Sequence, residues 1–368
     1  MKKLVSISIF FFLFIIVVAS CKDEEPTPSI ADSIPDTVIN FISPPFFPAF
    51  VQPANNPLTK RGLELGRMLF YDPILSSDST IACASCHNPT YSFADNKKYS
   101  LGVDGAVGDM QSMALINLAW QKKFFWNGRA SSLEEQALGP INNPVEMHET
   151  SENVVKKLKA HKDYPKRFRS AFGTDNITPE LIARAIAQFE RTLISNGSKF
   201  DGYPEKQTQV FTDVLEFEGF QIFFNERGQC FHCHGGGGTF LAHNLDTIFR
   251  NNGLLSNAQM QGKGLYQVTG HLYDQGKFKV PTLRNVELTG PYMHDGRFTS
   301  LEQVVEFYSS GIQQNDNLDI NFTKNQDRLD QNGGLGLSTR EKQALVMFMK
   351  TFTDTSYINN PLFKNPFH

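Results

Sequence analysis

Cys83-Ala84-Ser85-Cys86-His87 and Cys230-Phe231-His232-Cys233-His234 carry the reading of this chain. Each is C-x-x-C-H. At that spacing two thiols add to the two vinyl groups of a haem, and the imidazole that follows lies beneath the ring within reach of the iron. Cys83, Cys86 and His87 would hold one group and Cys230, Cys233 and His234 another, which implies two covalently bound haem c. The alternative is a single zinc held by both C-x-x-C pairs; the histidine directly after each pair and the long separation speak against it. The chain has five cysteines, and the fifth is Cys21, so none remains for a disulfide framework.

Working outward, the first residues read as an export signal. Lys2 and Lys3 precede the apolar run Leu4 to Ala19, and Ser20-Cys21 follows. The ending Val18-Ala19-Ser20-Cys21 resembles the lipobox of bacterial lipoproteins, which implies cleavage before Cys21 and lipidation of its thiol. The expected address is therefore exported and lipid-anchored, on the periplasmic side or at the cell surface. A plain signal peptide with an incidental cysteine is the other reading. The run is too short for a confident membrane span. The domain plan is a signal peptide over 1–20, a proline-rich tether and wrapping segment over 21–58, haem domains over 59–205 and 206–352, and a tail over 353–368. About 310 residues follow the tether, enough for two ordinary domains. The net charge of -3 carries no nucleic-acid footprint. The 32 phenylalanines suit apolar cofactor walls, though aromatic cores are common without a cofactor.

Thr59 to Phe70 has a helical pattern that ends before Asp72-Pro73, and Ser132 to Leu138 has another. Gly139 to Met147 is too rich in Pro and Asn for helix. Thr150 to Ala160 is a polar helix. Thr178-Pro179 opens a stronger one with Leu181, Ile182, Ala185, Ile186, Phe189 and Leu193 on one face. Asn196 to Gln207 reads as a linker, Val210 to Phe224 as helix, and Ser300 to Tyr308 as helix. Ser338 and Glu341 make a capping box for the last one. Strand signals are few. The predicted fold is mainly α, with two cytochrome c-like domains, each wrapped around one haem.

The stretches Leu69-Phe70-Tyr71-Asp72-Pro73, Trp126-Asn127-Gly128-Arg129-Ala130, Leu133 to Ala137, Gly139 to Met147, Val280 to Val286 and Thr289 to Phe298, with the first motif and its Asn88-Pro89, follow one another in a family's order. On these the chain resembles the bacterial di-haem cytochrome c peroxidases, including their methylamine-utilisation MauG-like branch, from about Leu63 to Phe352. The resemblance implies that His87 ligates a peroxidatic iron and His234 an electron-transfer iron, with Trp126 between them. It makes Glu146 the distal acid–base residue and Gln136 its pocket partner, with Pro140 shaping the same pocket. A carboxyl of raised pKa can take the proton from bound peroxide and return it to the departing oxygen. It also implies a calcium ion, held by the carbonyls of Thr289 and Pro291 and by a side-chain oxygen that falls here on Gln111, where the family has Asn.

Two departures matter. Typical members carry a histidine after the first motif that caps the resting iron, and here no histidine lies between His87 and His148. An open first iron is the expectation, with His148 as the alternative cap. Typical members also place a methionine ligand where this chain has Tyr308, as the MauG-like branch does. A phenolate there would favour ferric iron, where methionine would raise the potential. A core role for Tyr308, or a different ligand such as Met260, is the alternative. The expected function is reduction of hydrogen peroxide to water with electrons from a small redox protein, a c-type cytochrome or a cupredoxin. The first alternative is MauG-like oxidation of side chains on a partner protein. The second is a di-haem electron carrier without catalysis. Typical members are dimers, so a homodimer is expected, although no stripe in the sequence marks an interface.

Overall fold

A computed structural model describes residues 36–235, 248–323 and 333–367. The signal peptide, Cys21 and the start of the tether lie outside the described residues. Among those described, no helix is long and apolar enough to cross a membrane.

The architecture is mainly helical. In the first half, α1 (Lys60–Tyr71) begins at Thr59, whose hydroxyl accepts from the Gly62 amide as an N-cap. It turns Leu65, Leu69 and Phe70 inward. Next come α2 (Leu133–Asn142), α3 (Ser151–Ala160), α4 (Tyr164–Phe172) and α5 (Pro179–Arg191). Thr178 caps α5 through the Leu181 amide, with Pro179 at its first position. In the second half, α6 (Val214–Phe223) is capped by Asp213, and α7 (Leu301–Ser310) by Ser300. The reciprocal box of Ser338 and Glu341 starts α8 (Thr339–Lys350). A two-residue antiparallel pair, β1 (Phe249–Arg250) and β2 (Phe278–Lys279), sets Phe249 opposite Lys279 and Arg250 opposite Phe278.

Each half is built on one close helix crossing. In the first, α1 meets α5 at Gly66, where an added Cβ would overlap the Ala185 carbonyl. In the second, α6 meets α8 at Gly219, where a Cβ would overlap the Ala344 carbonyl. Only glycine lets backbones approach so closely. Leu65, Leu69, Ile182, Ala185 and Ile186 then form one apolar cluster, and Phe200, Phe223, Phe348 and Phe352 centre another. In the second cluster the Phe348 and Phe352 rings meet edge to face with centroids 4.9 Å apart.

Three segments differ from the sequence reading. Gly139, Pro140, Ile141 and Asn142 continue α2. The ring fixes Pro140 at a helical φ and removes only the donor to the Gln136 carbonyl, while Asn142 Nδ2 donates to the Leu138 carbonyl at 2.8 Å in the last turn. The segment read as a linker is packed: Phe200 is buried in the second half's core, and Asp201 pairs with buried Arg284. The segment read as a tail closes the first half. Asp354 Oδ2 accepts from Ser195 Oγ and the amides of Asn196 and Gly197 at 2.8–3.0 Å, and a short helix, Thr355–Asn359, follows. Tyr357 and Phe363 join Phe70 and Phe93, with the Tyr357 hydroxyl donating to the Leu115 carbonyl at 2.6 Å.

Alanine at Gly66 or Gly219 must force two backbones apart, because a carbonyl cannot rotate away as a side chain can. Each substitution is expected to cost about 1–3 kcal/mol, and both together close to the sum, since the sites lie in different clusters. Urea unfolding of the two single variants and the double variant measures this.

Candidate active site

A cavity of about 680 Å3 is lined by both C-x-x-C-H motifs. The short helical turns Cys83–Cys86 and Phe231–His234 present their thiols and imidazoles to it. Trp126, Gln136, Pro140, Glu146, Tyr308, Gln111, Thr289 and Pro291 line it too. Of the candidate site residues from residue 36 onward, all but the two alternative ligands, His148 and Met260, are therefore brought to one wall system.

His87 has a defined tautomer. Its Nδ1 lies 3.0 Å from the Phe93 carbonyl, which can only accept. Ser112 Oγ donates to the Cys86 carbonyl at 2.9 Å, so its lone pair is what faces the same Nδ1 at 3.3 Å. Nδ1 thus carries the proton, and Nε2 keeps its lone pair free for a metal, the arrangement that orients histidine ligands in metalloproteins. Burial pushes the His87 imidazole below its usual pKa, which also keeps the ring neutral. At both motifs burial pushes the thiols up, with Cys230 at about 12 and Cys233 at about 11. Among the described residues no three His, Cys, Asp or Glu side chains gather as a metal site, so the two C-x-x-C pairs do not meet on one zinc. The thiol pairs on the wall and the His87 tautomer fit covalently attached haem.

Above the first motif, Glu146 sits at the end of the turn that follows α2. Asn143 Nδ2 donates to Glu146 Oε1 at 2.6 Å. Burial raises the Glu146 carboxyl above the usual range, against the pull of Asn143 and of the Arg129 charge. The backbone is braced as well: the Val103 amide donates to the Glu146 carbonyl at 2.9 Å. Gln136 faces the same space from α2, and its Oε1 is buried with no protein partner. His148 is exposed and is not part of the cavity wall.

Trp126 is buried, and its indole N–H donates to the Gln111 carbonyl at 2.8 Å. The tryptophan is thereby tied to the residue carried over as a calcium ligand. The side-chain amide nitrogen of Gln111 is buried without a partner, which is spare donor capacity and not a cation ligand. Tyr308 points inward from α7, and Asn252 Nδ2 donates to its hydroxyl at 3.0 Å. Burial pushes the phenol far up. Met260 packs beside Trp126, Leu255 and Phe278 and is not on the cavity wall.

The sequence reading passed over several wall residues. Met293 has its sulfur 3.7 Å from the same Asn252 amide. His294 stacks on Phe278 with centroids 3.6 Å apart, and burial lowers it to about 4. Lys279, on β2, is lowered to about 7 by burial. Glu190, on α5, is raised to about 8 by burial. Met293 and His294 lie in the family-like stretch Thr289 to Phe298, whereas Lys279 and Glu190 lie where the local pattern marks nothing and only the fold brings them to the wall.

A helical chain with two C-x-x-C-H motifs on one cavity has the makings of a c-type redox protein. The family described as di-haem cytochrome c peroxidase matches residues 60–209. Cytochrome c551 peroxidase of Nitrosomonas europaea is 41% identical over 246 residues, 66% of this chain and 71% of that protein. Methylamine utilization protein MauG of Methylorubrum extorquens is 34% identical over 301 residues, 81% of this chain and 80% of that protein. The crystal structure of a MauG-like protein associated with microbial copper homeostasis matches with a TM-score of 0.78 at 31% identity, covering 90% of this chain and 100% of that one. The chain belongs to the di-haem cytochrome c peroxidase family. It is an oxidoreductase of the peroxidase class, and the family implies two haem c groups.

Asn143→Ala removes a side-chain donor to Glu146, and that donor favours the charged carboxylate. The carboxyl pKa is therefore expected to rise further, so that the acid form persists to higher pH. Infrared titration of the Glu146 carboxyl in the cofactor-loaded protein, with and without the substitution, reads the direction.

Proposed function

We propose that the protein reduces hydrogen peroxide to water at the first motif, with electrons from a small redox protein, a c-type cytochrome or a cupredoxin, entering at the second. One observation carries this: a buried carboxyl of raised pKa, Glu146, and an amide with an unpartnered oxygen, Gln136, share the cavity wall with His87. In this reading Cys83 and Cys86 hold one haem with His87 on its iron, and Cys230 and Cys233 hold the other with His234. Two haem-binding domains, drawn from the sequence as 59–205 and 206–352, belong to this reading; the two helix crossings at Gly66 and Gly219 support two halves, with Phe200 and Asp201 packed in the second and Tyr357 and Phe363 in the first. The bound groups supply the iron at which the O–O bond is broken and the redox couples that pass electrons.

The protein's own part is proton handling and positioning. Glu146 takes the proton from the near oxygen of peroxide and gives it to the far one, which leaves as water. Its raised pKa suits that double role, because a carboxylate of ordinary acidity returns a proton poorly near neutral pH. Asn143 and the Val103 amide fix its place. Gln136 orients the bound peroxide, and Pro140 shapes the wall. Trp126 bridges the two haem sites. With the indole N–H committed to the Gln111 carbonyl, the ring is held in one orientation. A calcium ion on the Gln111 side chain and the Thr289 and Pro291 carbonyls would stiffen that junction. Export through residues 1–20, lipidation at Cys21, a membrane anchor and a homodimer belong to the same proposal.

One observation favours a second reading, MauG-like oxidation of a partner protein's side chains. Tyr308 reaches the cavity with a hydrogen bond donated to its oxygen, the polarity that suits a phenolate ligand on the second iron. The electron-carrier reading requires both irons to be capped, and exposed His148 does not line the wall.

Glu146→Gln is expected to lower kcat for peroxide by about 10²–10⁴-fold while leaving haem content unchanged. EPR of the resting ferric protein is expected to give one high-spin and one low-spin haem, with only the low-spin signal altered by Tyr308→Met. Two low-spin signals would remove the open first site. Rapid turnover with a reduced cytochrome or cupredoxin would decide for the peroxidase over the partner-oxidising reading.

A further inference from the structure

One cation on the cavity wall has no anion of its own. Among the described residues, the lysine and arginine side chains that line the cavity are Arg129, Arg250 and Lys279. Arg250 faces Asp319 at 3.3 Å, and the charges of Glu146 and Asp109 act on Arg129. No acid of the described residues acts on Lys279, and burial alone draws its amine down to about 7. The Lys279 Nζ donates to Gln121 Oε1 and lies 5.6 Å from the centre of the Phe124 ring. Both partners suit an ammonium, and neither brings a countercharge. Gln121 and Phe124 line the same cavity. The backbone fixes the lysine in this place: its amide donates to the Trp126 carbonyl at 2.8 Å, and β1 sets Phe249 opposite it. A buried amine without an anion is costly, so its position on the wall calls for a partner that the protein does not supply.

A haem brings such a partner. Its two propionates are carboxylates, ionised near neutral pH, on the edge of the ring opposite the vinyl groups. Thioethers at Cys83 and Cys86 would hold the vinyl edge, so the carboxylates would lie across the cavity from those thiols. Phe124 belongs to the apolar cluster that holds Phe93, whose carbonyl orients His87, so the ammonium sits among the walls of the first motif. We propose that Lys279 is a propionate-binding residue, whose ammonium pairs with a carboxylate of the haem attached at Cys83 and Cys86. An ammonium has three donors. Gln121 takes one, and two remain for the carboxylate. The pair anchors the free edge of the ring beside Trp126, and the carboxylate restores the charge that burial disfavours. A fixed positive charge beside the ring favours the ferrous form, so Lys279 raises the potential of the first iron. The proposal rests on the assignment of a haem to Cys83, Cys86 and His87, and it holds for the peroxidase and the partner-oxidising readings alike.

The test uses the full-length, haem-loaded protein and its Lys279→Met and Lys279→Arg variants. Methionine keeps an unbranched stem and removes the charge, whereas arginine keeps the charge. Three quantities are read: the midpoint potential of each haem by spectropotentiometry, the propionate-bending bands in resonance Raman, and the crystal structure of the loaded wild type. The structure is expected to show the Lys279 Nζ about 2.8 Å from a propionate oxygen of the first haem. Lys279→Met should lower the midpoint of the first haem, shift one propionate band and leave the second haem's midpoint in place. Lys279→Arg should bring the midpoint and the band back toward the wild-type values, a rescue that a lysine serving only to pack against Phe124 would not give. Should the methionine variant fail to load haem, the wild-type structure and the arginine variant decide. A first-haem midpoint and Raman spectrum indifferent to Lys279→Met, a shift confined to the second haem, or a structure with Nζ on Gln121 alone would overturn the proposal. A peptide bearing Cys83 and Cys86 whose mass lacks the haem would instead overturn the assignment on which it rests.

Discussion

The carboxyls of Glu146 and Glu190, the phenol of Tyr308, the amine of Lys279 and the imidazole of His294 open on one cavity, and burial is the largest influence on each. Loss of water disfavours whichever form is charged, so it raises the acids and lowers the bases together. Left to burial alone, the wall would be neutral throughout. What differs is the specific partner each group meets. Asn143 and Arg129 pull Glu146 back toward ionisation, and Arg191, paired with Glu134, pulls Glu190 the same way. Burial outweighs these partners at both residues, so both carboxyls stay above the usual range.

That wall depends on packing remote from it. The α1–α5 crossing at Gly66 and the α6–α8 crossing at Gly219 set the helices from which the two halves are built. Asp354 ties the end of the second half to Ser195, Asn196 and Gly197, and the chain beyond it delivers Tyr357 and Phe363 to the rings of Phe70 and Phe93. Phe93 is also the residue whose carbonyl orients His87. The C-terminal segment is therefore part of the scaffold of the first motif. Hydrogen bonds and a neighbouring backbone amide hold the Asp354 carboxyl below its usual range despite burial. Its contribution is present above the unfolded-state pKa and is lost as pH falls through the depressed folded value.

The parts of this arrangement legible in the sequence are those whose physics is local. C-x-x-C-H is a covalent spacing, and the caps at Thr59, Thr178, Ser300 and Ser338 are satisfied within a few residues. Glu146 and Gln136 could be named only through the family's motifs, since the residues themselves read as a loop carboxylate and a helix amide. Pro140 misled the reading of α2, because a proline costs a helix one donor and the turn could spare it. Glu190 had no mark at all: an acid before an arginine at a helix end looks solvent-facing until α2 takes the arginine. Tyr357 meets Leu115 across 242 residues, and no window along the chain carries that contact.

The second motif poses its own competition. Asn252 is the shared donor, 3.0 Å from the Tyr308 oxygen and 3.7 Å from the Met293 sulfur. A phenol oxygen is the better acceptor, and a donated hydrogen bond favours its ionised form, which binds ferric iron well. A thioether gains little from the same donor and favours the reduced metal. Met293 also sits at a positive φ of 72°, with the Gly296 amide bonded back to its carbonyl at 3.2 Å, so its side chain leaves a constrained turn. Tyr308 extends from a regular helix into the wall. At Tyr308 the donated hydrogen bond works against the burial that raises its phenol. With Tyr308 as the ligand, a phenolate would lower the potential of the second iron, and electrons from high-potential carriers would then be harder to accept.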